Sequence, residues 1–385
     1  MQNINKKNII GKIKKHKTGY NYLSILPFPQ KEISIFNEKI IQKSNHAQFL
    51  LGQLAGITEL LPDVNYFISS YIIKDATSSS QIEGTKATLV DAFEFKINPE
   101  LNKESDADDI LNYIKALNFG IQRFEKDDFP FSLRLIKEMH NVLIKDARAT
   151  HFSDPGNFRK TQNWIGGTTP ENASFVPPEP EEMIDALDDF EKSLHKDFVH
   201  PVIQAGLLHA QFETIHPFLD GNGRTGRLII TFFLLHKKLL NKPVLFLSSY
   251  FKKHQKTYYS KLQDYHSGDF ESWVDFFLDG VIETSEQAIQ LSKEITKLRE
   301  QDMYAVSKIK NRNPDINIKI LQSIYTSPVI SSNTVTEWTG FTKQGTILYI
   351  NKLISVGVLE LYKKGEGSNP SVYIHRKYVN LFLKN

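Results

Sequence analysis

The stretch that decides the fold is residues 216–227, which read HPFLDGNGRTGR. Residues 206–215 before it carry apolar side chains at the spacing of a helix, and residues 228–235 after it are apolar nearly throughout. That apolar run is far too short to span a bilayer, so it predicts a buried helix. The stretch is therefore predicted to be a glycine-bearing turn between two helices, with the second helix starting near Gly223.

The second half of this turn has residue types that suit a chain of phosphate groups. A helix N-terminus presents unpaired backbone N–H groups and the positive end of the helix dipole, and both favour anions. Gly221 and Gly223 let the backbone approach a ligand closely, and the side-chain amide of Asn222 can donate to a phosphate oxygen. Arg224 and Arg227 are three residues apart, so they share a helix face and can hold successive phosphates.

Two further side chains bring chemistry to the same turn. Asp220 offers a hard oxygen ligand of the kind that Mg²⁺ prefers. His216 titrates near neutral pH and can take a proton from a hydroxyl group. The alternative is a polar loop that links two core helices, but a base, a metal ligand and phosphate-binding groups seldom coincide in one turn. The preferred interpretation is a site that holds a polyphosphate beside a general base.

The stretch resembles the signature of the Fic family, H-P-F-x-D/E-G-N-G-R-x-x-R, and matches it at every fixed position. The resemblance implies a protein adenylyltransferase, which transfers AMP from ATP to a Ser, Thr or Tyr hydroxyl of a target protein and releases pyrophosphate. Relatives that phosphorylate their targets carry a lysine where this chain has Gly223, so the chain departs from them towards nucleotide transfer. The implied fold class is mainly α, a Fic-type helical core with a β-hairpin flap.

The resemblance also implies a role for each residue of the signature. His216 would deprotonate the attacking hydroxyl, Asp220 would hold Mg²⁺, and Phe218 would anchor the loop in the core. The ATP-binding residues would be Gly221, Asn222 and Gly223 at the α-phosphate, Arg224 at the β-phosphate, Arg227 at the γ-phosphate, and Thr225 and Gly226 between them. Tyr258 and Tyr259 would border the adenine and ribose, although packing explains a half-buried tyrosine equally well.

A second informative segment is residues 77–84, TSSSQIEG. Ser79 and Glu83 are four residues apart, hence on one face of a helix, and Gly84 is a natural C-terminal stop. By itself this pattern is common, and a glutamate at a helix end is usually solvated. Beside the signature, it resembles the inhibitory motif of many Fic proteins, S/T-x-x-x-E-G/N. In that motif the glutamate pairs with the second arginine, here Arg227, and blocks productive ATP binding.

Residues 155–178 differ in composition, with two short β-prone runs around a polar segment rich in Gly, Pro and Asn. This pattern predicts a hairpin or an irregular loop. The corresponding segment of the Fic family is a flap that binds the target's backbone by strand addition. The resemblance would assign that role to Trp164, Ile165, Gly166 and Gly167. A surface hairpin that only closes the core is the alternative.

Composition sets broad limits on the whole chain. A length of 385 residues predicts two or three domains, and apolar and charged contents of 40% and 24% are those of an ordinary soluble protein. The absence of cysteine excludes disulfides, thiolate metal sites and cysteine nucleophiles. It also fits a reducing compartment, so a cytoplasmic location without a membrane span is expected. The first twenty residues are rich in lysine, but no apolar segment follows, which predicts a solvated basic arm rather than a signal peptide.

Four regions are predicted along the chain, namely residues 1–104, 105–285, 286–312 and 313–385. The first is helical and contains the inhibitory helix at about residues 66–84. The second is the catalytic core, and the third is a connecting helix. The last resembles a winged helix, a small α+β domain in which three helices are followed by a hairpin.

The charge of the C-terminal region leaves its partner open. From Asn311 onward there are nine Lys/Arg and four Asp/Glu, so this part carries +5 and the rest of the chain carries −2. A basic winged helix could bind DNA. Its predicted reading helix offers few polar side chains for that purpose, which are Lys343, Gln344, Asn351 and Lys352. Docking of a protein is therefore an equal alternative.

Three functions compete at this point. The leading hypothesis is an AMP-transferring enzyme that uses ATP and Mg²⁺, modifies a target protein and is inhibited by Glu83. The second is a DNA-binding regulator with a Fic-like sensor domain, and the third is transfer of another phosphate-bearing group. A complete set of signature residues argues against a relic, because a relic has no reason to keep the base His216. The target and the oligomeric state, a homodimer included, stay open.

Overall fold

The computed structural model describes residues 10–26, 37–60, 64–97, 106–145, 154–197, 200–311, 315–365 and 370–383. The described chain is mainly α-helical, and its strands form two small antiparallel sheets. The mainly helical fold class is therefore confirmed. Part of the predicted basic arm, residues 1–9, lies outside the described residues. The chain divides into two compact units, residues 1–52 with 111–285 and residues 53–110 with 286–385.

The first unit begins with a two-stranded hairpin and continues as a helical bundle. Three of its helices, α1, α4 and α11, run on into the residues of the second unit. Its elements are β1 (Gly11–Lys15), β2 (Asn21–Ile25), α1 (Glu38–Leu60), α4 (Ala107–Glu125), α5 (Leu133–Ile144), α6 (Pro180–His195), α7 (Pro201–Ile215), α8 (Asn222–His236), α9 (Ser248–Lys253), α10 (Gln255–His266) and α11 (Phe270–Ser307).

Helices α7 and α8 form the centre of this unit. Residues 202–215 of α7 and 224–235 of α8 are buried without exception. The two helices approach closely at Gly226, where a Cβ atom would lie 2.6 Å from Glu213 Oε1. The run that is apolar nearly throughout is thus a buried helix, as predicted, and a small residue lets it contact its neighbour.

The second unit combines an early segment with the C-terminal part of the chain. Its remaining elements are α2 (Val64–Ile82), α3 (Leu89–Ile97), α12 (Asp315–Thr326), β3 (Val329–Ser331), α13 (Ser332–Thr339), α14 (Lys343–Ser355), β4 (Glu360–Lys363), β5 (Val372–Ile374) and α15 (Arg376–Leu383). The three strands pair in the order β3-β5-β4. The predicted order of three helices followed by a hairpin is present, although residues 366–369 of the hairpin turn lie outside the described residues.

A buried polar cluster holds the C-terminal elements to α11. The Asp302 carboxylate accepts hydrogen bonds from the Tyr325 hydroxyl at 2.7 Å and from His375 Nε2 at 2.8 Å. Asp302 belongs to α11, Tyr325 to α12, and His375 immediately precedes α15. All three side chains are buried, so breaking one bond would leave a polar group unsatisfied in the interior.

Residues 313–385, which the sequence predicts to be a separate unit, instead share a compact unit with residues 53–110. The physical reason is packing between distant segments: α2 lies against α12 and α15, and α3 lies against β3. Lys363 on β4 also forms an ion pair with Glu94 on α3, at 3.3 Å. The helix that carries the Ser79–Glu83 motif therefore packs against the C-terminal elements.

Ending the chain at residue 310 is expected to loosen α2. The deletion removes α12 and α15 from the face of α2 that they cover, and exposing one side chain of Leu or Phe size costs about 1.5–3 kcal/mol. Amide hydrogen exchange should show protection in α2 falling by at least about tenfold, while α7 and α8 keep theirs. Unchanged protection in α2 would mean that the C-terminal elements do not stabilise it.

Candidate active site

The signature stretch forms the turn between α7 and α8, as predicted. Helix α8 begins at Asn222, one residue before the predicted start, and Gly221 caps it in the left-handed region with φ of +78°. His216 ends α7 and is also left-handed, with φ of +48°. Few non-glycine residues adopt this conformation, and it persists only where surrounding contacts impose it. The contacts of the turn therefore determine where the imidazole lies.

Two side chains from the segment before α6 hold the backbone of the turn. The buried guanidinium of Arg159 donates to the carbonyl oxygen of His216 at 3.0 Å, and the Arg159 backbone N–H donates to that of Pro217 at 2.9 Å. Asn163 Nδ2 donates to the carbonyl oxygens of His216 at 3.3 Å and Phe218 at 2.9 Å. Burial lowers the pKa of Arg159 to about 10, still well above neutral pH.

The side chain of Asn222 closes the turn from the inside. Its Oδ1 accepts from the Phe218 N–H at 2.8 Å, and its Nδ2 donates to the Phe218 carbonyl at 2.8 Å. The phenyl ring of Phe218 is fully buried, which agrees with its predicted position in the core. Asn222 is buried too, so a main effect of its amide is to shape the loop around Phe218.

His140 on α5 connects the turn to the loop around Gly156. The Gly156 N–H donates to its Nδ1 at 2.9 Å, and its Nε2 lies 2.9 Å from the carbonyl oxygen of Asp220. Because an N–H can only donate and a carbonyl can only accept, the proton of the neutral ring is on Nε2. Burial lowers the pKa of His140 to about 4, which keeps the ring neutral. Its plane also stacks on Phe218, with ring centroids 3.6 Å apart.

Replacing His140 with phenylalanine is expected to destabilise the protein while keeping the ring stack. The Gly156 N–H and the Asp220 carbonyl would each lose a buried partner, at about 1–3 kcal/mol per group. His140→Gln, which retains a donor for Asp220, should lose less. Urea unfolding measures the effect, and His46→Phe on the exposed face of α1 is the control, expected within about 0.5 kcal/mol of the wild type. Equal stability of both phenylalanine variants would contradict the expectation.

The geometry assigns the two ring nitrogens of His216 different roles. Nδ1 lies 3.3 Å from the carbonyl oxygen of Glu213, to which it can only donate. The proton of the neutral imidazole is then on Nδ1, and Nε2 is the nitrogen able to accept a proton. The side chain is half-buried, so it is in reach of a substrate. This arrangement is the one that a general base requires.

The start of α8 gathers positive charge beside one carboxylate. Arg224 and Arg227 are nearly buried, whereas half of the Asp220 side chain is exposed. Arg224 Nη2 lies 3.5 Å from Asp220 Oδ2, and Asp220 Oδ1 accepts from the Gly221 N–H at 2.6 Å. Thr225 is fully buried and Gly226 faces α7, so these two residues pack between the helices. The residues that can face a phosphate are those of the first turn together with the two arginines.

Metal binding at this place would depend on Asp220. Within the described ranges, no three His, Cys, Asp or Glu side chains are grouped closely enough to hold an ion by themselves. Mg²⁺ is commonly bound through one or two carboxylates together with substrate phosphates and water. The half-exposed carboxylate of Asp220 at the start of α8 fits that mode of binding.

The two tyrosines predicted to border the nucleotide differ in exposure. Tyr258 is buried, its hydroxyl lies 2.8 Å from His209 Nε2, and its ring stacks on Phe251 at 4.5 Å. Burial lowers the pKa of His209 to about 3, so that ring is neutral. The packing alternative therefore describes Tyr258. Tyr259 is 46% exposed, and a contact with a nucleotide stays a prediction for it.

The predicted flap is a narrow hairpin. Ile165 pairs with Phe175 in an antiparallel bridge, and residues 170–172 form a 3-10 turn at the tip. Gly166 and Gly167 both have positive φ, and a Cβ atom on Gly167 would lie 2.5 Å from the Asn172 carbonyl oxygen. These positions therefore require glycine. Trp164, which precedes the bridge, is partly exposed.

A histidine that the sequence did not single out lies between the flap and the signature. The ring of His266, at the end of α10, stacks on Phe175 with centroids 3.8 Å apart. Neither of its ring nitrogens has a hydrogen-bond partner among the described residues. Burial, with a contribution from the charge of His216, lowers the pKa of His266 to about 3. A neutral imidazole thus lies near the candidate base.

The Ser79–Glu83 motif lies at the C-terminal end of α2, in the second unit. Ser79 is fully buried and Glu83 is exposed. Helix α2 ends at Ile82, and Gly84 is left-handed with φ of +99°, so the predicted stop is present. Pairing of Glu83 with Arg227 stays a prediction.

Comparisons with known sequences agree with the geometry. The profile of the Fic/DOC family matches residues 130–234, and that of the Fic/DOC family N-terminal region matches residues 41–122. The protein adenylyltransferase Fic of Culex quinquefasciatus is 31% identical over 183 residues, which cover 47% of this chain and 32% of the relative. The protein of the same name from Aedes aegypti is 32% identical over 186 residues, with the same coverages. The chain thus spans about a third of the length of these curated relatives.

Solved structures share the fold. A Fic family protein from Desulfovibrio desulfuricans G20 superposes with a TM-score of 0.55 at 17% identity, over 88% of this chain and 96% of that one. A Fic domain containing signaling protein from Bacteroides thetaiotaomicron VPI-5482 gives 0.51 at 21% identity, over 66% and 97%. A helical core with the HPFLDGNGRTGR turn between two buried helices defines a protein of the Fic fold. Residues 41–122 and 130–234 of the chain are thus similar to the Fic/DOC family.

Proposed function

We propose that this chain is a protein adenylyltransferase, which transfers AMP from ATP to a hydroxyl side chain of a target protein. The observation that carries the proposal is the turn between α7 and α8. This turn carries His216, whose Nε2 can accept a proton, and it leads into a helix N-terminus flanked by Arg224, Arg227 and Asp220. The name of the relatives from Culex and Aedes supports the same activity.

The proposed reaction is a single displacement at the α-phosphate. The target hydroxyl gives its proton to His216 Nε2 as its oxygen bonds to the α-phosphorus. The bond from that phosphorus to the bridging oxygen of the β-phosphate breaks, and pyrophosphate leaves with its electron pair. Arg159 and Asn163 act by holding the backbone that aims the imidazole. Such positioning removes much of the entropy cost of bringing the reactants together.

The N-terminus of α8 would hold the triphosphate. Backbone N–H groups of Gly221 to Gly223 would contact the α-phosphate, Arg224 the β-phosphate and Arg227 the γ-phosphate. Asp220 would bind Mg²⁺, whose charge offsets that of the phosphates. Tyr259 would lie near the adenine and ribose. The flap at Trp164 to Gly167 would hold the target's backbone in extended form.

Glu83 would inhibit this site by pairing with Arg227 and thereby competing with the γ-phosphate. The proposal is supported by the sequence pattern of residues 79–84 and by the position of Glu83, which is exposed just beyond the last turn of α2. A carboxylate at the γ-phosphate site would repel ATP and shift its α-phosphate away from the line of attack. A cytoplasmic location, where ATP and reduced surroundings are available, suits this chemistry.

The C-terminal elements would form a winged helix that docks protein rather than DNA. Its wing lysine, Lys363, is paired with Glu94, and its reading helix α14 exposes Ile347 and Leu348. Direct reading of base pairs relies on polar side chains in the major groove. An apolar outer face is more typical of protein contact.

The proposed function is tested with ATP labelled at either end of the triphosphate. Glu83→Gly protein is incubated with Mg²⁺, a cell lysate and ATP carrying the label on its α-phosphate or on its γ-phosphate. Adenylyl transfer predicts a labelled protein with the α-label alone, absent when His216→Ala is combined with Glu83→Gly. Protein labelled by the γ-label would indicate phosphoryl transfer instead, and no labelled protein in either case would contradict both.

A further inference from the structure

The N-terminal hairpin lies beside the flap and is joined to it by a backbone hydrogen bond. β1 pairs with β2 so that Ile13 is opposite Leu23, and the Leu23 N–H donates to the Val176 carbonyl at 3.0 Å. Val176 follows Phe175, which bridges to Ile165. The extended segments therefore lie in the order β1, β2, residues 175–176 and Ile165. β1 is the outer strand beside the flap, and its burial pattern leaves Lys12 to Lys15 exposed.

The hairpin is fixed to the first unit by specific contacts. Glu182 on α6 accepts from the Tyr22 hydroxyl at 3.1 Å and pairs with Lys14 at 2.7 Å. Tyr20, Tyr22 and Val176 form a small buried apolar cluster between the hairpin and the flap. A basic segment that is merely exposed to solvent does not need such anchoring. The hairpin therefore presents its outer strand in a defined position.

A cavity of about 340 Å³ opens between the hairpin and the flap. Its lining is mixed: apolar and aromatic side chains such as Ile13, Leu23 and Phe175 lie beside polar ones, which include Asn21 and Glu171. Phe175 also stacks on His266, which is near His216. The cavity thus shares a side chain with the surroundings of the candidate base, and its volume suits a large side chain.

The charged side chains of the hairpin are all of one sign, which is positive. Residues 10–26 contain lysines but no aspartate or glutamate. Lys14 is neutralised by Glu182, whereas Lys12, Lys15 and Lys17 are exposed and form no ion pair with any described residue. Lysines on an edge strand can simply prevent aggregation. Prevention of aggregation does not explain why Ile13, which lies in the middle of the strand and lines the cavity, is 68% exposed.

We propose that this hairpin is a docking surface for an extended acidic segment of the target protein. The segment would add to the edge of β1, pair its carboxylates with Lys12, Lys15 and Lys17, and place one apolar side chain in the cavity. The inference rests on the proposed function, because it takes the docked protein to be the substrate of AMP transfer. It assigns target selection to the hairpin and leaves the orientation of the hydroxyl to the flap.

Surface substitutions test the proposal without disturbing the core. The test variant reverses three charges, Lys12→Glu, Lys15→Glu and Lys17→Glu. The matched control reverses three exposed, unpaired lysines elsewhere in the same unit, Lys126→Glu, Lys196→Glu and Lys238→Glu, so the net charge change is identical. A third variant, Ile13→Ser, keeps every charge and removes only the apolar side chain at the cavity.

Binding is measured by fluorescence anisotropy with three labelled probes at low salt. These are a twelve-residue peptide of Glu with one central Val, its counterpart with Ser in place of every Glu, and a single-stranded DNA of equal negative charge. The full chain is expected to prefer the acidic peptide. The test variant should bind it at least about tenfold more weakly, Ile13→Ser severalfold more weakly, and the control variant within about twofold of wild type. Tighter binding of the DNA, or equal losses in test and control variants, would overturn the proposal, since non-specific charge would then suffice.

This binding assay uses no ATP, so it separates the two proposals. Acidic-peptide binding without transfer of labelled AMP to any protein would remove the proposed function and keep a docking surface. AMP transfer to lysate proteins that is unaffected by the three charge reversals would leave the enzyme and overturn the role of the hairpin. The expected result is that the reversals raise KM for the modified protein and leave KM for ATP unchanged.

Discussion

Replacing His216 with alanine is expected to reduce AMP transfer by about 10²–10⁴-fold, the usual effect of removing a general base. The loss should fall on kcat, because Nε2 is assigned to the proton of the hydroxyl and not to the phosphates. ATP affinity should stay within severalfold of wild type. Transfer is followed with α-labelled ATP and a modified protein or the enzyme itself, and ATP binding by calorimetry, both in the Glu83→Gly background.

The backbone of the turn provides a control for this substitution. His216 adopts a left-handed conformation that Arg159 and Asn163 maintain through its carbonyl oxygen. His216→Asn retains a side chain that tolerates this conformation but cannot act as a base, so it should be as inactive as alanine. Near-normal transfer by either variant would remove His216 from the mechanism. A large loss of ATP affinity would instead indicate that the turn had changed its shape.

Replacing Glu83 with glycine is expected to raise AMP transfer rather than lower it. A carboxylate at Arg227 would occupy the guanidinium that the γ-phosphate needs, and it would repel the phosphate itself in a partly desolvated site. Removing it lets the triphosphate adopt the pose in which the α-phosphate is in line for attack. Catalytic glutamates behave in the opposite way, so the direction of the effect is informative. Initial rates of α-label incorporation by equal amounts of protein provide the measurement.

Two further variants separate charge from structure. Glu83→Gln keeps the length of the side chain and should be activated if repulsion of the phosphate is the main cause of inhibition. The double variant Glu83→Gly with Arg227→Ala should lose the gain, because the released arginine is what the activation uses. If Glu83→Gly transfers no more AMP than wild type, to itself or to any lysate protein, then residues 79–84 are not an inhibitory motif.

Much of the candidate site could be predicted because its residues are neighbours in the sequence. The turn at 216–227, the buried helix after it and the stop at Gly84 depend on local spacing and on glycine, which short-range rules describe. The structure places α8 within one residue of its predicted start. It also finds Phe218 in the core, where the resemblance implied it would be.

The groups that support the turn were missed for a physical reason. Arg159, Asn163 and His140 act through hydrogen bonds to backbone atoms of the turn more than fifty residues away, and such contacts leave no periodic pattern. The only available signal was one arginine inside a segment otherwise rich in Gly, Pro and Asn. For Tyr258 the sequence left packing and nucleotide contact equally open, because an aromatic pair near a signature does not indicate which ring is buried.

The composition of the second unit could not be predicted for the same reason. Packing of α2 against α12 and α15 joins residues that are more than two hundred positions apart, and no local rule anticipates it. The sequence predicted the three helices and the hairpin of the C-terminal region, but not β3 or α15. It could not indicate which apolar faces they would cover.

That shared unit has a consequence for the order in which the chain matures on the ribosome. The first unit is complete once residue 285 has been translated, whereas α2 must wait for residues 286–385. At about 5–20 residues per second, that interval is roughly 5–20 s. During it every residue of the first unit is present, while the helix bearing Glu83 lacks the elements α12 and α15 that pack against it. Under the proposed function, inhibition by Glu83 would thus be acquired last, and a chain released by a ribosome that stalls after residue 285 would transfer AMP without it.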